Sequence, residues 1–369
     1  MLEMLEQTSN PEISKRLLEK TIQHAKKFEE KYGHKPAFME VCGSHTMALA
    51  RTGVKKALQA HVKLISGPGC PVCVTDQKSI DAMIELANGE NRIICTFGDM
   101  IRVPGTKRTL MEAKTEGADI RIIYSPTDAV RIAEENPTKE VIFLGVGFET
   151  TIPILGVALK TAYEKQVKNF SMWVTTKLVE PVLRTLLDAG EVKVDGFMLP
   201  GHVSIVLGRK GYQYLVDEYK IPGVITAFEP VELLSGIYHL IDLLLEERVD
   251  IINNYKRIVT EDGNPVTQKI LETYFKPCDE AWRGLGIIPN SGLDIHDNFA
   301  NLNAKNRFEV QVGEPKKTKC RCGEIICGLV GPEDCKLFGK ACTPANPIGP
   351  CMVSGEGSCA AHYQYMREE

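Results

Sequence analysis

The chain has 369 residues, 43% hydrophobic and 25% charged, with a formal net charge of −4. That length allows two or three domains with their own cores, and the balance is that of a soluble globular protein without a basic surface for nucleic acid. The longest apolar runs, such as Val141 to Phe148, are too short to span a bilayer, so neither nucleic acid nor membrane is expected as a partner.

The N-terminal stretch MLEMLEQTSNPEISK has no basic n-region and no long apolar h-region, so no secretory signal is expected and the cytoplasm is the expected compartment. Residues 11–31 space their apolar side chains three and four apart (Ile13, Leu17, Leu18, Ile22, Ala25, Phe28), which predicts a surface helix. Strand-like runs follow at 37–42, 62–66, 92–97, 119–125, 141–147, 170–176, 196–200 and 223–228. Helical stretches, among them 78–88, 127–136, 151–166, 178–189 and 231–247, separate most of them. This alternation predicts parallel sheet with helical cover. Eight such units could close a barrel. The segments 37–46 and 141–151 favour two sheets instead, because each reads as a strand, a small or polar turn and a Thr placed to cap the next helix. The expected class is α/β: two similar parallel-sheet α/β domains plus a Cys-rich iron–sulfur domain. The expected boundaries are 36–126, 127–250, and 1–35 joined with 251–369 as a helical or irregular domain. Chemistry is expected at the carboxyl ends of the strands.

Seven of the twelve cysteines fall in the last 50 residues, where Gly and Pro are also frequent. In a reducing compartment such clustering points to metal or redox chemistry more than to disulfides. From Cys322 the spacing is C-x12-C-x6-C-x16-C through Cys335, Cys342 and Cys359. Four converging thiolates suit a [4Fe–4S] cluster, and the same set could hold zinc. Cys320 competes with Cys322 for the first place, while Cys327 and Cys351 read as spare thiols packed nearby. Cys95 lies in the apolar run RIICTFG and reads as a small buried hydrophobe.

Two further thiol sets stand earlier. GPGCPVC (67–73) places Cys70 and Cys73 as a C-x-x-C pair directly after a strand, which suits a dithiol that cycles with its disulfide. EVCGSHT (40–46) places Cys42 at another strand end, with Glu40, His45 and Thr46 beside it. A thiolate and an imidazole are good iron ligands, although simple packing explains such a pair as well. Polar groups recur at other strand ends: Asp99 and Arg102, Glu149, His202 and Ser204, and Glu229. No P-loop, dinucleotide fingerprint or nucleophile elbow is present.

The blocks EVCGSHT, GPGCPVC, TFGDMIRVPG, GFETT, LPGHVS, FEP and DCKLFGKACTPANPIGPCMVSGEGSCAA run from residue 40 to 361. Together they resemble the HypD family of [NiFe]-hydrogenase maturation proteins. One departure is Ser44, where the family pattern has Thr; the hydroxyl is kept. The resemblance implies two similar α/β domains and a third that carries a [4Fe–4S] cluster. It implies a small HypC-type chaperone and the cyanide donor HypE as partners. On the complex with the chaperone, an iron atom would acquire two cyanides and one carbon monoxide before passing to the hydrogenase. By the same resemblance Cys42 is the thiolate on the iron under assembly, and His45 lines that site. Cys70 and Cys73 are the redox dithiol, and Cys322, Cys335, Cys342 and Cys359 hold the cluster. His202 and Glu356 are further candidates for proton handling or ligand positioning. Such a protein is an assembly scaffold more than a turnover enzyme. A competing reading is an iron–sulfur-dependent thiol–disulfide oxidoreductase of the ferredoxin–thioredoxin reductase type, in which Cys70 and Cys73 are the active pair.

Overall fold

The computed structural model describes residues 8–315 and 318–367. Two parallel sheets organise the chain, as the strand–helix alternation predicts. One has five strands: β1 (Ala37–Glu40), β2 (Lys63–Ser66), β7 (Gly196–Pro200), β8 (Gly223–Thr226) and β9 (Ile251–Asn253), in the order β2-β1-β7-β8-β9. The other has four: β3 (Arg92–Thr96), β4 (Asp119–Ile122), β5 (Glu140–Gly147) and β6 (Phe170–Thr176), in the order β4-β3-β5-β6. All eight expected strands and the expected helices are present, within a few residues at their ends.

The sheets do not follow the expected cut between residues 126 and 127. β4 and β5 lie on either side of that cut yet belong to one sheet, and β1 pairs directly with β7. The four-stranded sheet is therefore inserted between two halves of the five-stranded one. Periodicity marks each strand but carries no information about its neighbour, so the nesting is invisible in the sequence.

The first helix, Pro11–Tyr32, is well signalled. Asn10 accepts the N–H groups of Glu12 and Ile13 at 2.9 and 3.2 Å, and Gly33 ends the helix in the left-handed region at φ 77°. Its buried face, with Ala25 and Phe28, packs on the helix Pro230–Leu245 and the five-stranded sheet. It thus joins the first sheet's core, not the Cys-rich region with which it was grouped above. The two expected threonine caps also differ. Thr46 lies inside the helix Gly43–Arg51, whose N-cap is Cys42, and Thr151 sits at the N-cap of the helix Ile152–Glu164 without a side-chain cap bond.

After β9 the chain forms an antiparallel hairpin, β10 (Phe275–Trp282) and β11 (Gly286–Ile295), bulged between Cys278 and Glu280. It is tied to the end of β6, where Thr176 Oγ1 donates to the Leu293 carbonyl at 3.2 Å. The Cys-rich tail adds the short helix Cys322–Ile326, the turn Pro350–Met352 and the helix Ser358–Tyr365. It packs against the segments carrying Cys42 and Cys70. No described helix is long and apolar enough to cross a membrane.

Candidate functional site

β1 and β7 are neighbours in the sheet although far apart in sequence. The chain leaves them in opposite directions along the sheet order, which makes a crevice at their carboxyl ends. Cys42 follows β1 and His202 follows β7. Both line a cavity of about 250 Å³, together with Ser44, Gly69, Thr151 from the other sheet, and Glu356 from the tail. Three chain segments meet tightly here. A Cβ on Gly43 would lie 2.6 Å from Glu356 Cβ, and one on Gly69 would lie 2.3 Å from the Cys42 nitrogen. Only glycine permits either approach.

Cys42 is half-buried at the N-cap of the helix Gly43–Arg51. Burial pushes its thiol up to about 12, the N–H groups of His45 and Ser44 pull against this, and the Glu356 carboxylate adds to the rise. Ser44 Oγ donates to Glu356 Oε1 at 2.6 Å. His202 is exposed and stacks on Phe228 at 4.4 Å. Partial burial lowers its imidazole, and Glu356 opposes that.

His45 is placed differently from the expectation. Its ring is fully buried, is not part of the cavity lining, and packs on Phe228 at 4.8 Å. Nε2 donates to the carbonyls of Thr226 and Ala227 at 3.2 and 3.1 Å, so the lone pair is on Nδ1, which is buried without a partner. Burial lowers the imidazole to about 4, which keeps it neutral. What His45 offers the cavity is its backbone N–H toward the Cys42 thiol.

Cys70 and Cys73 are joined as a disulfide in the short turn Pro71–Val74, with Cα atoms 5.2 Å apart. The Gly43 N–H donates to the Gly69 carbonyl at 3.1 Å, so this turn lies against the Cys42 segment. On its far side Cys73 Sγ is 3.9 Å from the Pro350 carbonyl, one residue before Cys351.

Cys322, Cys335, Cys342, Cys351 and Cys359 are buried together in the tail, with Cys320 at the edge. The thiols of Cys320 and Cys351 both donate toward Cys322, and with the nearby Arg283 they hold it well below the ordinary thiol range. The Cys320 and Cys351 thiols are correspondingly raised. Cys351 also bonds Cys359, and Cys342 Sγ accepts the Ile348 N–H at 3.3 Å. Among the described residues no three His, Cys, Asp or Glu side chains converge on a single ion. A [4Fe–4S] cluster binds each thiolate to a different iron and asks for a buried nest of thiols, which is the donor set gathered here. Cys351, read as spare from the sequence, lies between two of the expected ligands.

Of the other polar strand-end residues, Asp99 is exposed, and Arg102, Glu149, Ser204 and Glu229 have structural partners. Arg102 Nη2 donates to the Val353 carbonyl at 3.1 Å and so steadies the loop that carries Glu356. Glu149 Oε1 accepts the Val179 N–H at 2.8 Å, while its other oxygen is buried without a partner. Ser204 Oγ donates to the Pro200 carbonyl at 2.7 Å, and Glu229 accepts from Ser9 at 2.9 Å. Cys95 is fully buried in the second sheet, as its apolar run predicts. Sequence reasoning missed Ser44 as the partner of Glu356, and also Phe228, Pro350 and Arg283. Ser44, Phe228 and Pro350 lay within the blocks EVCGSHT, FEP and DCKLFGKACTPANPIGPCMVSGEGSCAA, which were the available signals, and Arg283 lay in none of the blocks.

Comparison with known proteins identifies the family of the chain. The HypD family model, described as "Hydrogenase formation hypA family", matches residues 14–366. The chain is 43% identical over 349 residues to the hydrogenase maturation factor HypD of Cupriavidus necator, covering 92% of each chain. It is 40% identical over 333 residues to that of Escherichia coli, covering 90% of this chain and 89% of the relative. To that of Rhodobacter capsulatus it is 41% identical over 333 residues, covering 89% and 88%.

Proposed function

Because this chain belongs to the HypD family of hydrogenase maturation factors, we propose that it is the scaffold on which the Fe(CN)2CO unit of a [NiFe]-hydrogenase is assembled in the cytoplasm. It works there with a HypC-type chaperone and takes cyanide from HypE. The observation that carries this reading is that the segments bearing three thiol sets adjoin in succession: the Cys42 backbone against Gly69, Cys73 against the Pro350 carbonyl, and Pro350 beside Cys351.

The iron atom is the cargo, and Cys42 is its thiolate. Without a cation beside it the thiol keeps its proton, because burial opposes the charge. Binding a cation displaces that proton, and Glu356, which adjoins Cys42 and is held by Ser44, is the base placed to receive it. His202 is the second group at the cavity able to carry a proton. Cyanide from a thiocyanate-like donor arrives with a need for two electrons. Cys70 and Cys73 as a dithiol supply two electrons and two protons on closing to the disulfide. Cys322, Cys335, Cys342 and Cys359 would hold the [4Fe–4S] cluster, which supplies one-electron exchange when bound.

A second reading has one observation in its favour. The disulfide sits between the Cys42 cavity and the cysteine nest, an order that a cluster-dependent disulfide reductase would also use. That reading leaves the Cys42 cavity without a use. Co-expression with a HypC-type partner, anaerobic purification and infrared spectroscopy separate the two. Cyanide and carbonyl bands that vanish in Cys42→Ala support the scaffold; a brown complex without such bands that reduces disulfides supports the reductase.

A further inference from the structure

The β10–β11 hairpin turns against the cysteine nest. Gly284 at its tip is left-handed at φ 84°, and a Cβ there would lie 2.7 Å from Gly323 Cα. This glycine-on-glycine approach brings the preceding Arg283 beside Cys322. Both line a cavity of about 430 Å³ with Gln77, Cys320, Gly349 and Pro350. The guanidinium is fixed on two sides: Nε donates to the Thr75 carbonyl at 3.1 Å and Nη1 to Gln77 Oε1 at 3.2 Å. Nη2 is buried without a partner, and among the described residues no carboxylate forms an ion pair with Arg283. A buried charged donor lacking an acceptor is costly unless an anion takes the place. Cys320 and Cys322 line the same cavity, and as a cluster ligand Cys322 would present a thiolate there.

We propose that Arg283 is a positioning residue of the [4Fe–4S] site, a fixed positive charge beside Cys322 that makes the cluster easier to reduce. This rests on the reading that the cysteine tail holds a cluster. One-electron reduction adds one negative charge to the cluster and its thiolates, and a cation held close in a poorly solvated site stabilises the reduced form more than the oxidised one. Arginine suits the task because it stays charged and its planar fork holds one orientation.

The test compares the reconstituted full chain with Arg283→Gln and Arg283→Lys, without oxygen. Dithionite is the one-electron reductant, and the electron paramagnetic resonance signal of the reduced cluster gives the midpoint potential. At equal iron and sulfide content, Arg283→Gln is expected to titrate at a more negative potential, and Arg283→Lys close to the unmodified chain. An unshifted midpoint in Arg283→Gln overturns the proposal. If Arg283→Gln takes up no cluster while Arg283→Lys takes one up at a near-normal midpoint, the positive charge is what the site needs and the proposal stands. If neither variant takes one up, Arg283 is only a scaffold residue and the proposal fails. An unmodified chain that takes up no cluster sinks the cluster reading itself, which is a separate failure.

Discussion

Ser44 Oγ donates to Glu356 Oε1 at 2.6 Å, joining residues 312 apart in sequence across the wall of the Cys42 cavity. A hydrogen bond to a charged acceptor contributes about 1.5–3 kcal/mol when desolvated, and less in this half-buried setting. Ser44→Ala is expected to lower the unfolding free energy by about 1 kcal/mol and to weaken the infrared bands of the assembled iron unit. Ser44→Thr, the residue of the family pattern, keeps the hydroxyl and is expected to restore both. Equal band intensity in the Ala variant would remove Glu356 positioning from the mechanism.

Gly69 has no room for a methyl group, since its Cβ would meet three backbone atoms of Cys42 at 2.3–2.6 Å. Backbone cannot swing aside as a side chain can. Gly69→Ala is therefore expected to cost on the order of 2–3 kcal/mol by overpacking and to displace Cys42. Urea unfolding measures the first effect, and the alkylation rate of Cys42 in the folded protein measures the second.

The dithiol has a separate test. Replacing Cys70 and Cys73 together by Ala is expected to abolish cyanide and carbonyl bands while leaving the iron and sulfide content unchanged. The two thiols are not among the expected cluster ligands, and their turn packs on the nest through the Cys322–Ile326 helix and the Pro350 carbonyl. Intact iron-unit assembly in the double variant would falsify the electron role of the pair.

Glu149 makes stability depend on pH. Burial raises its carboxyl from 4.5 to about 7; the Val179 N–H it accepts opposes this, and Glu180 adds to it. Between those values the folded chain holds a proton that the unfolded chain has released, so stability falls as pH rises through this window. The full loss above the folded value is about 3 kcal/mol. Glu149→Gln cannot ionise. Chemical unfolding at pH 5 and pH 8 is expected to show a smaller decline for the variant than for the unmodified chain.

The sheets were legible because their strands are short runs of branched apolar residues between helical stretches, as in VIFLGVG and FSMWVTT. β9 spans only Ile251–Asn253, too short for any period to register. β10 was hidden by Pro277, by its charged residues and by the bulge after Cys278, which breaks the alternation a half-buried strand would show. Arg283 went unseen with it. In the site, Cys42, His202 and Glu356 were singled out by the family resemblance, and spacing alone gave no reason for the three to meet. The aim of the His45 ring was not legible either. It depends on which side of the helix Gly43–Arg51 meets the loop after β8, and two backbone carbonyls there decide the matter.

The nesting of one sheet inside another sets an order of events during synthesis. The Ala37 N–H bonds Asp195, 158 residues further on, so β1 and β2 leave the ribosome long before β7 exists to pair with them. At about 5–20 residues per second that wait is on the order of ten seconds. Residues 92–176 can close their own sheet in that interval, leaving the Cys42 strand without its neighbour. Glu356, made later still, completes the wall of the Cys42 cavity. A chain that has not yet reached this residue thus has an open crevice where the folded protein has a cavity.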